Sequence, residues 1–172
     1  MPVWTAIEHN RSPMVRAMHA WWQAHCPPGG VPDRRDLDPA ALKSVLPNLF
    51  IAEIEPDPFR VRYRLVGTKS ARVIGFDITG RYLDELLTAE TEVQWMDYYR
   101  TVFESRKPLL GSVVVPARSG GTFTYEFGLF PLTQGGPDIA QVAAVEDYFD
   151  FDLTAAQLID APPGTGSPGK KR

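Results

Sequence analysis

The sequence predicts an α+β domain built on a mostly antiparallel sheet. Three observations carry the prediction. Segments of helical period and segments of strand period are grouped along the chain rather than alternating one by one. Two strand-like runs, residues 49–54 and 59–66, are separated only by "EPDP", which is turn chemistry. Three further runs, residues 109–117, 122–132 and 139–149, are joined by "RSGG" and "TQGGPD", glycine-containing links suited to hairpins.

The elements follow in chain order. Residues 12–26, "SPMVRAMHAWWQAHC", predict a helix with Ser12 as N-cap and Pro13 in its first turn. Met14, Met18, Trp21 and His25 recur at helical spacing, Val15 and Trp22 widen the stripe, and Pro27 and Pro28 end it. A second short helix is predicted from Asp38 as N-cap and Pro39 at the first position, with Leu42, Val45 and Leu46 as its apolar face and Pro47 as its stop. The run "LFIAEI" is apolar on both faces until Glu53, which predicts a strand covered on both sides. In "FRVRYRLV", Phe59, Val61, Tyr63 and Leu65 share one face, and Arg60, Arg62 and Arg64 share the other.

Residues 68–74 predict a short helix stopped by Gly75, and 82–87 one further turn. The longest helix is placed at 89–106, with Val93, Met96, Tyr99 and Phe103 on one face and Trp95, Tyr98 and Val102 beside it. In the strand after "RSGG", Phe123, Tyr125, Phe127 and Leu129 alternate with smaller or polar residues. Residues 139–147 are small and apolar on both faces, so two registers stay open. A short apolar piece follows Asp150. The tail from residue 161 is rich in Pro, Gly and Ser and is expected to be disordered.

The chain has 172 residues, 44% apolar and 23% charged, which fits one ordinary domain with extensions. A net charge of −3 argues against broad nucleic-acid binding, which needs a basic field. The lone Cys26 can form neither an internal disulfide nor a cysteine zinc site, and points to a reducing, cytoplasmic setting. The N-terminus lacks the pattern of a signal peptide, and no apolar run is long enough for membrane insertion.

Residues 67–82, "GTKSARVIGFDITGRY", look at first like a phosphate loop. A Walker-type loop needs G-x-x-x-x-G-K-[ST], the lysine for phosphate and the hydroxyl for magnesium. Here "GFDITGRY" offers Arg81 in place of lysine and Tyr82 in place of the hydroxyl, while Asp77 would repel phosphate. The interior "FDIT" is bulky for a cradle of backbone N–H groups. Gly75 as a helix stop and Gly80 as a turn explain the same spacing.

The layout of two strands, short helices, one long helix and three antiparallel strands resembles the PAS fold. The segments "RRDLDPAALKSVLPNLFIAEIE", "RVRYRLVGTKSARVIGFDITGRYLDEL" and the proline-ended "GLFPL" resemble the small single-domain bacterial PAS proteins. In that family a Y-R-x-x-G-T step follows the second strand, matched by Tyr63, Arg64, Gly67 and Thr68. A G-x-D-x-T-G-x-x-x-D step follows the first core helix, matched by Gly75, Asp77, Thr79, Gly80 and Asp84. The resemblance implies a five-stranded antiparallel sheet of order 2-1-5-4-3, with helices on one face and an N-terminal flanking helix. It divides the chain into a flanking helix and linker at 1–32, a PAS-like domain at 33–150, a C-terminal extension at 151–160 and a tail at 161–172. It places Arg60, Arg62 and Arg64 at a sheet edge, where charge discourages pairing with other chains. An anionic partner is the sharper reading of the same arginines.

The resemblance further implies a stand-alone, cytoplasmic sensory, signalling or protein-interaction module. Tyr63, Leu65, Ile74, Phe76, Met96, Tyr99, Phe103, Tyr125, Phe127 and Val142 should converge between sheet and helices, around either a filled core or a cavity for a small organic ligand. A cysteine-adduct flavin needs a core cysteine, and Cys26 lies outside the core. Histidine-ligated haem needs a core histidine, and His9, His19 and His25 all lie in the N-terminal segment. Neither cofactor is expected, and the ligand's identity stays open. Met14, Met18, Trp21 and Trp22 read as packing on their own sheet or as a homodimer contact, with a dimer role favoured. The competing functional reading is a small enzyme using a buried acid/base, for which Asp77 and Glu126 are the candidates. No catalytic constellation and no metal spacing accompany them. A dimerisation domain without ligand is the third.

Overall fold

The computed structural model describes residues 2–87, 89–116 and 122–149. The "RSGG" link, the extension at 151–160 and the tail at 161–172 lie outside the described residues. The elements in order are β1 (Val3–Trp4), α1 (Pro13–His25), β2 (Leu49–Pro56), β3 (Phe59–Val66), α2 (Thr68–Ile74), α3 (Ala89–Ser105), β4 (Leu109–Pro116), β5 (Thr122–Thr133) and β6 (Ile139–Asp147). Short 3₁₀ turns at Ile7–His9, Arg34–Asp36, Leu46–Asn48 and Leu83–Glu85 connect them.

All strand pairs are antiparallel, in the order β1-β4-β5-β6-β2-β3. Counted from β2, the five long strands have the expected order 2-1-5-4-3. The sheet has six strands rather than five, because β1 adds to the outer edge of β4 through Val3 opposite Gly111 and Trp4 opposite Leu110. A two-residue strand has no alternation to read, so only pairing reveals it.

Alternation sends side chains to two separate cores. On the inner face, Phe50, Ala52, Tyr63, Phe127, Val142 and Ala144 pack with Val73 and Ile74 of α2 and Trp95, Tyr99 and Val102 of α3. On the outer face, Leu49, Ile51, Phe130, Ala143 and Val145 pack with Val15, Met18, Trp21 and Trp22 of α1. The run "LFIAEI" is therefore covered on both sides, as its composition requires. Trp22 Nε1 donates to the Pro131 carbonyl at 2.8 Å, so α1 is also tied to β5 by a hydrogen bond.

Leu65 leaves the expected face. Opposite it is Ile51, whereas the neighbouring Ala52 faces Tyr63, so Arg64 is an extra residue in β3. Such a bulge reverses the alternation beyond it. Leu65 consequently lies outside the inner core and is 40% exposed.

The N-terminus of α1 is fastened by two carboxylates on the outer face of the sheet. Ser12 caps the helix, its Oγ accepting from Val15 N at 3.1 Å and donating to Asp147 Oδ2 at 2.7 Å. Glu126 Oε2 accepts from the backbone N–H groups of Arg11 and Ser12 at 2.6 and 2.9 Å.

The predicted helix after Asp38 is instead a series of turns ending in the 3₁₀ turn Leu46–Asn48. Pro39 and Pro47 bound a segment too short for a helix to propagate. Asp38 still caps, its Oδ1 accepting from Ala40 N at 2.8 Å, and Leu42 and Val45 are still buried. Gly67 of the Y-R-x-x-G-T step meets this segment directly. A Cβ there would stand 2.4 Å from the carbonyl oxygens of Leu46 and Pro47.

The segment from Gly75 to Glu85 folds back along β3. Gly75 ends α2 at φ 96°, a left-handed value that favours glycine. Asp77 Oδ1 accepts from Thr79 N and Oγ1 at 2.9 and 2.6 Å, closing a turn. Gly80 N donates to the Tyr63 carbonyl at 2.7 Å and Tyr63 N to the Arg81 carbonyl at 3.0 Å, which blunts the sheet edge. Arg60 pairs with Asp84 at 2.9 Å and lies 3.5 Å over the Tyr82 ring, while Arg62 pairs with Glu53. These arginines are held inside the chain's own edge network. Arg60→Ala is expected to lower the urea midpoint slightly, and the difference from the parent should shrink in high salt. A large or salt-independent loss would contradict an ionic latch.

Candidate functional site

A cavity of about 100 Å³ lies between the inner face of the sheet and the helices. The sheet contributes Phe50, Tyr63, Val113, Tyr125 and Glu146, and α2 and α3 contribute Ile74 and Trp95. Ile78 and Leu83 of the folded-back segment, with Leu86 just after it, close one side. That segment is positioned by its hydrogen bonds to Tyr63, so one residue both lines the cavity and holds its cover.

Of the residues expected around a cavity, Tyr63, Ile74 and Tyr125 line it. Tyr99, Phe127 and Val142 are buried in the inner core that supports it, and Phe76, Met96 and Phe103 pack partly buried against that core. Leu65 is excluded by the bulge in β3. Met18, Trp21 and Trp22 are buried against their own sheet, and Met14 is half-buried beside them.

Neither carboxylate singled out for acid/base chemistry belongs to the cavity. Asp77 serves the Thr79 turn, which holds its carboxyl below the usual range. Glu126 faces the other side of the sheet and anchors α1. The carboxylate in the cavity is Glu146, near the end of β6. Side chains alternate along β6, with Val142, Ala144 and Glu146 inward and Ala143, Val145 and Asp147 outward. An inward Val142 brings Glu146, four residues on, to the same face. That relation was the available sequence clue, and the unassigned register of 139–147 concealed it.

Glu146 is the one acid lining the cavity among the described residues. The Tyr148 hydroxyl donates to its Oε2, and no described residue donates to Oε1. Asn48 Nδ2 donates to the Glu146 carbonyl at 2.6 Å, which fixes the strand at this point. Burial pushes the Glu146 carboxyl from its ordinary 4.5 up to about 7, against the opposing pull of the Tyr148 hydrogen bond. Burial first, and then the charge on Glu146, raise the hydroxyls of Tyr63, Tyr125 and Tyr148. Burial also raises Tyr99, with Tyr63 and Glu146 adding to it. The tyrosines therefore remain neutral while Glu146 changes charge near neutrality.

The cavity residues do not fit a cysteine-adduct flavin or a histidine-ligated haem. Cys26 follows α1, its Sγ donating to the Gly30 carbonyl at 3.1 Å on the outer side of the sheet. His19 packs edge-on to Phe130 in the outer core, His25 stacks on Trp21 and His9 lies beside Trp4. A three-ring flavin also exceeds a cavity of about 100 Å³, since ~150 Å³ takes up one benzene.

An antiparallel sheet of order 2-1-5-4-3 with helices enclosing a cavity on one face defines a PAS-type domain. The chain belongs to the PAS domain family, whose model matches residues 10–142. The match begins upstream of α1, so the family pattern includes that helix. No curated protein matches the chain in sequence. Among solved structures, VqmA from Vibrio cholera, in a complex with ligand and DNA, superposes with a TM-score of 0.50 at 16% identity. That alignment covers 66% of this chain and 51% of VqmA, so the chain spans about half of VqmA's length. A Light-Oxygen-Voltage domain studied with a flavin analogue gives a TM-score of 0.48 at 18% identity, covering 66% of this chain and 84% of that one. The blue-light photoreceptor Aureochrome1 LOV gives 0.46 at 20% identity, covering 68% and 91%. At these identities the likeness is one of fold.

Proposed function

We propose that this protein is a sensory or signalling module that responds to a small molecule held in its inner cavity and passes the response to a protein partner. The observation that carries the proposal is the cavity of about 100 Å³ with one inward-facing, partly buried carboxyl in otherwise largely apolar walls. A pocket of apolar walls with a few placed polar groups is the ordinary form of a ligand site. Membership of a sensor-rich fold family supports the reading. The ligand would bias the protein between two states through its different affinity for each.

Native mass spectrometry of the full chain tests this. The purified protein should carry, or take up from a cell extract, a small molecule of defined mass. Val113→Phe, which fills the cavity from β4, should abolish that adduct while leaving the fold cooperative. An adduct that survives Val113→Phe, or no adduct under any condition, would count against a ligand in this cavity.

A second reading, catalysis, is favoured by one feature. An inward-facing carboxyl raised toward neutrality by its surroundings is suited to general acid/base work. It transfers the enzyme hypothesis from Asp77 and Glu126 to Glu146, and it requires a turnover that Glu146→Gln abolishes.

A further inference from the structure

We infer that the cavity is built for a small, mostly apolar molecule that presents a hydrogen-bond-donating nitrogen to Glu146. The inference rests on the cavity-ligand reading above and adds the chemistry of the ligand.

Four observations select that chemistry. Glu146 faces the cavity with one carboxylate oxygen occupied by Tyr148 and the other without a described donor. A carboxylate oxygen that opens onto largely apolar walls without a protein donor is poorly satisfied, so a ligand that supplies an N–H gains more than one that does not. No Arg, Lys or His lines the cavity among the described residues, so an anionic ligand would meet Glu146 without compensation. The groups that sense Glu146 are the hydroxyls of Tyr63, Tyr99, Tyr125 and Tyr148, and burial keeps all four neutral. Ile74, Ile78 and Trp95 make the remaining wall apolar. The cavity size limits the ligand to about four or five non-hydrogen atoms, by comparison with the ~150 Å³ that accepts benzene.

The carboxyl changes charge near neutral pH, so the preference for a donor has a pH signature. Above neutrality Glu146 is ionised and accepts only. Below it, the protonated carboxyl can itself donate, and the advantage of an N–H ligand should fall.

The test compares three probes of nearly equal size on the full chain by NMR titration. Pyrrole presents an N–H donor, furan only an acceptor, and cyclopentene neither. Above neutral pH, pyrrole should bind roughly tenfold more tightly than furan or cyclopentene. The margin should narrow as pH falls through neutrality. Glu146→Leu should reverse the order, placing cyclopentene first. Should that variant fail to fold, the pH series on the unmodified chain decides alone. Equal binding of the three, or furan or cyclopentene first above neutrality, overturns the nitrogen-donor inference while leaving a cavity ligand in place. Binding of none of the three overturns the cavity-ligand reading itself, and the inference with it.

Discussion

Glu126→Ala is expected to destabilise the protein by about 2–5 kcal/mol and to loosen α1 from the sheet. The carboxylate is 3% exposed and receives two backbone N–H groups, from Arg11 and Ser12, at the entry to the helix. Removing it strands the Arg11 N–H and leaves the Ser12 N–H only its second acceptor, Asn10 Oδ1 at 3.0 Å, and Ser12 is itself buried, so water cannot replace the lost acceptor freely. The Arg11 side chain also reaches Glu126, at 3.0 Å, but it is 76% exposed. Arg11→Ala should therefore have little effect, since an exposed partner contributes little. Urea denaturation gives the stabilities, and hydrogen exchange of the α1 amides reports the local loosening. Equal effects of the two variants would mean that the ion pair, not the backbone anchoring, holds the helix.

The second large effect concerns Glu146 and depends on pH. Its carboxyl is raised from 4.5 to about 7 in the folded protein, chiefly by burial. Folding therefore favours the protonated form. Below the unfolded value both states are protonated and the residue imposes no penalty. As pH rises from 4.5 to about 7 the unfolded chain releases the proton first, and stability falls. Above that window the penalty levels off at roughly 3 kcal/mol. Glu146→Gln removes the charge at every pH. The variant should match the parent in acid and exceed it by up to roughly 3 kcal/mol in mild alkali. Urea midpoints measured across the window check this. A difference that stays flat with pH would show that Glu146 is not a buried titrating group. A ligand that pairs with the carboxylate would reduce the penalty, which links this measurement to the proposed site.

The same two residues show how far the sequence could be read. Glu126 alternates with Tyr125 and Phe127, so period alone places it on the face away from the inner aromatics. Its role did not, because the partner Ser12 is 114 residues away and nothing local records the contact. Glu146 was missed for a different reason. Apart from Gln141, residues 139–145 are apolar on both faces, since β6 is central and buried on both sides. Period-two contrast vanishes in such a strand. The Tyr63–Leu65 error is the converse case. The alternation in β3 was clear, but one extra residue at Arg64 reversed it.

By itself the sequence determined the class of fold, the positions of its long elements and the family. Caps, prolines, glycines and hydrophobic period are local, and each acts within a few residues. Tertiary structure alone decided which face β6 turns inward, where the bulge falls, that Val3 and Trp4 extend the sheet, and which carboxylate enters the cavity. Those outcomes depend on strand pairing and burial between residues far apart in the chain. The cavity belongs to that second group, since apolar residues that fill a core and apolar residues that leave a space read alike until they are packed.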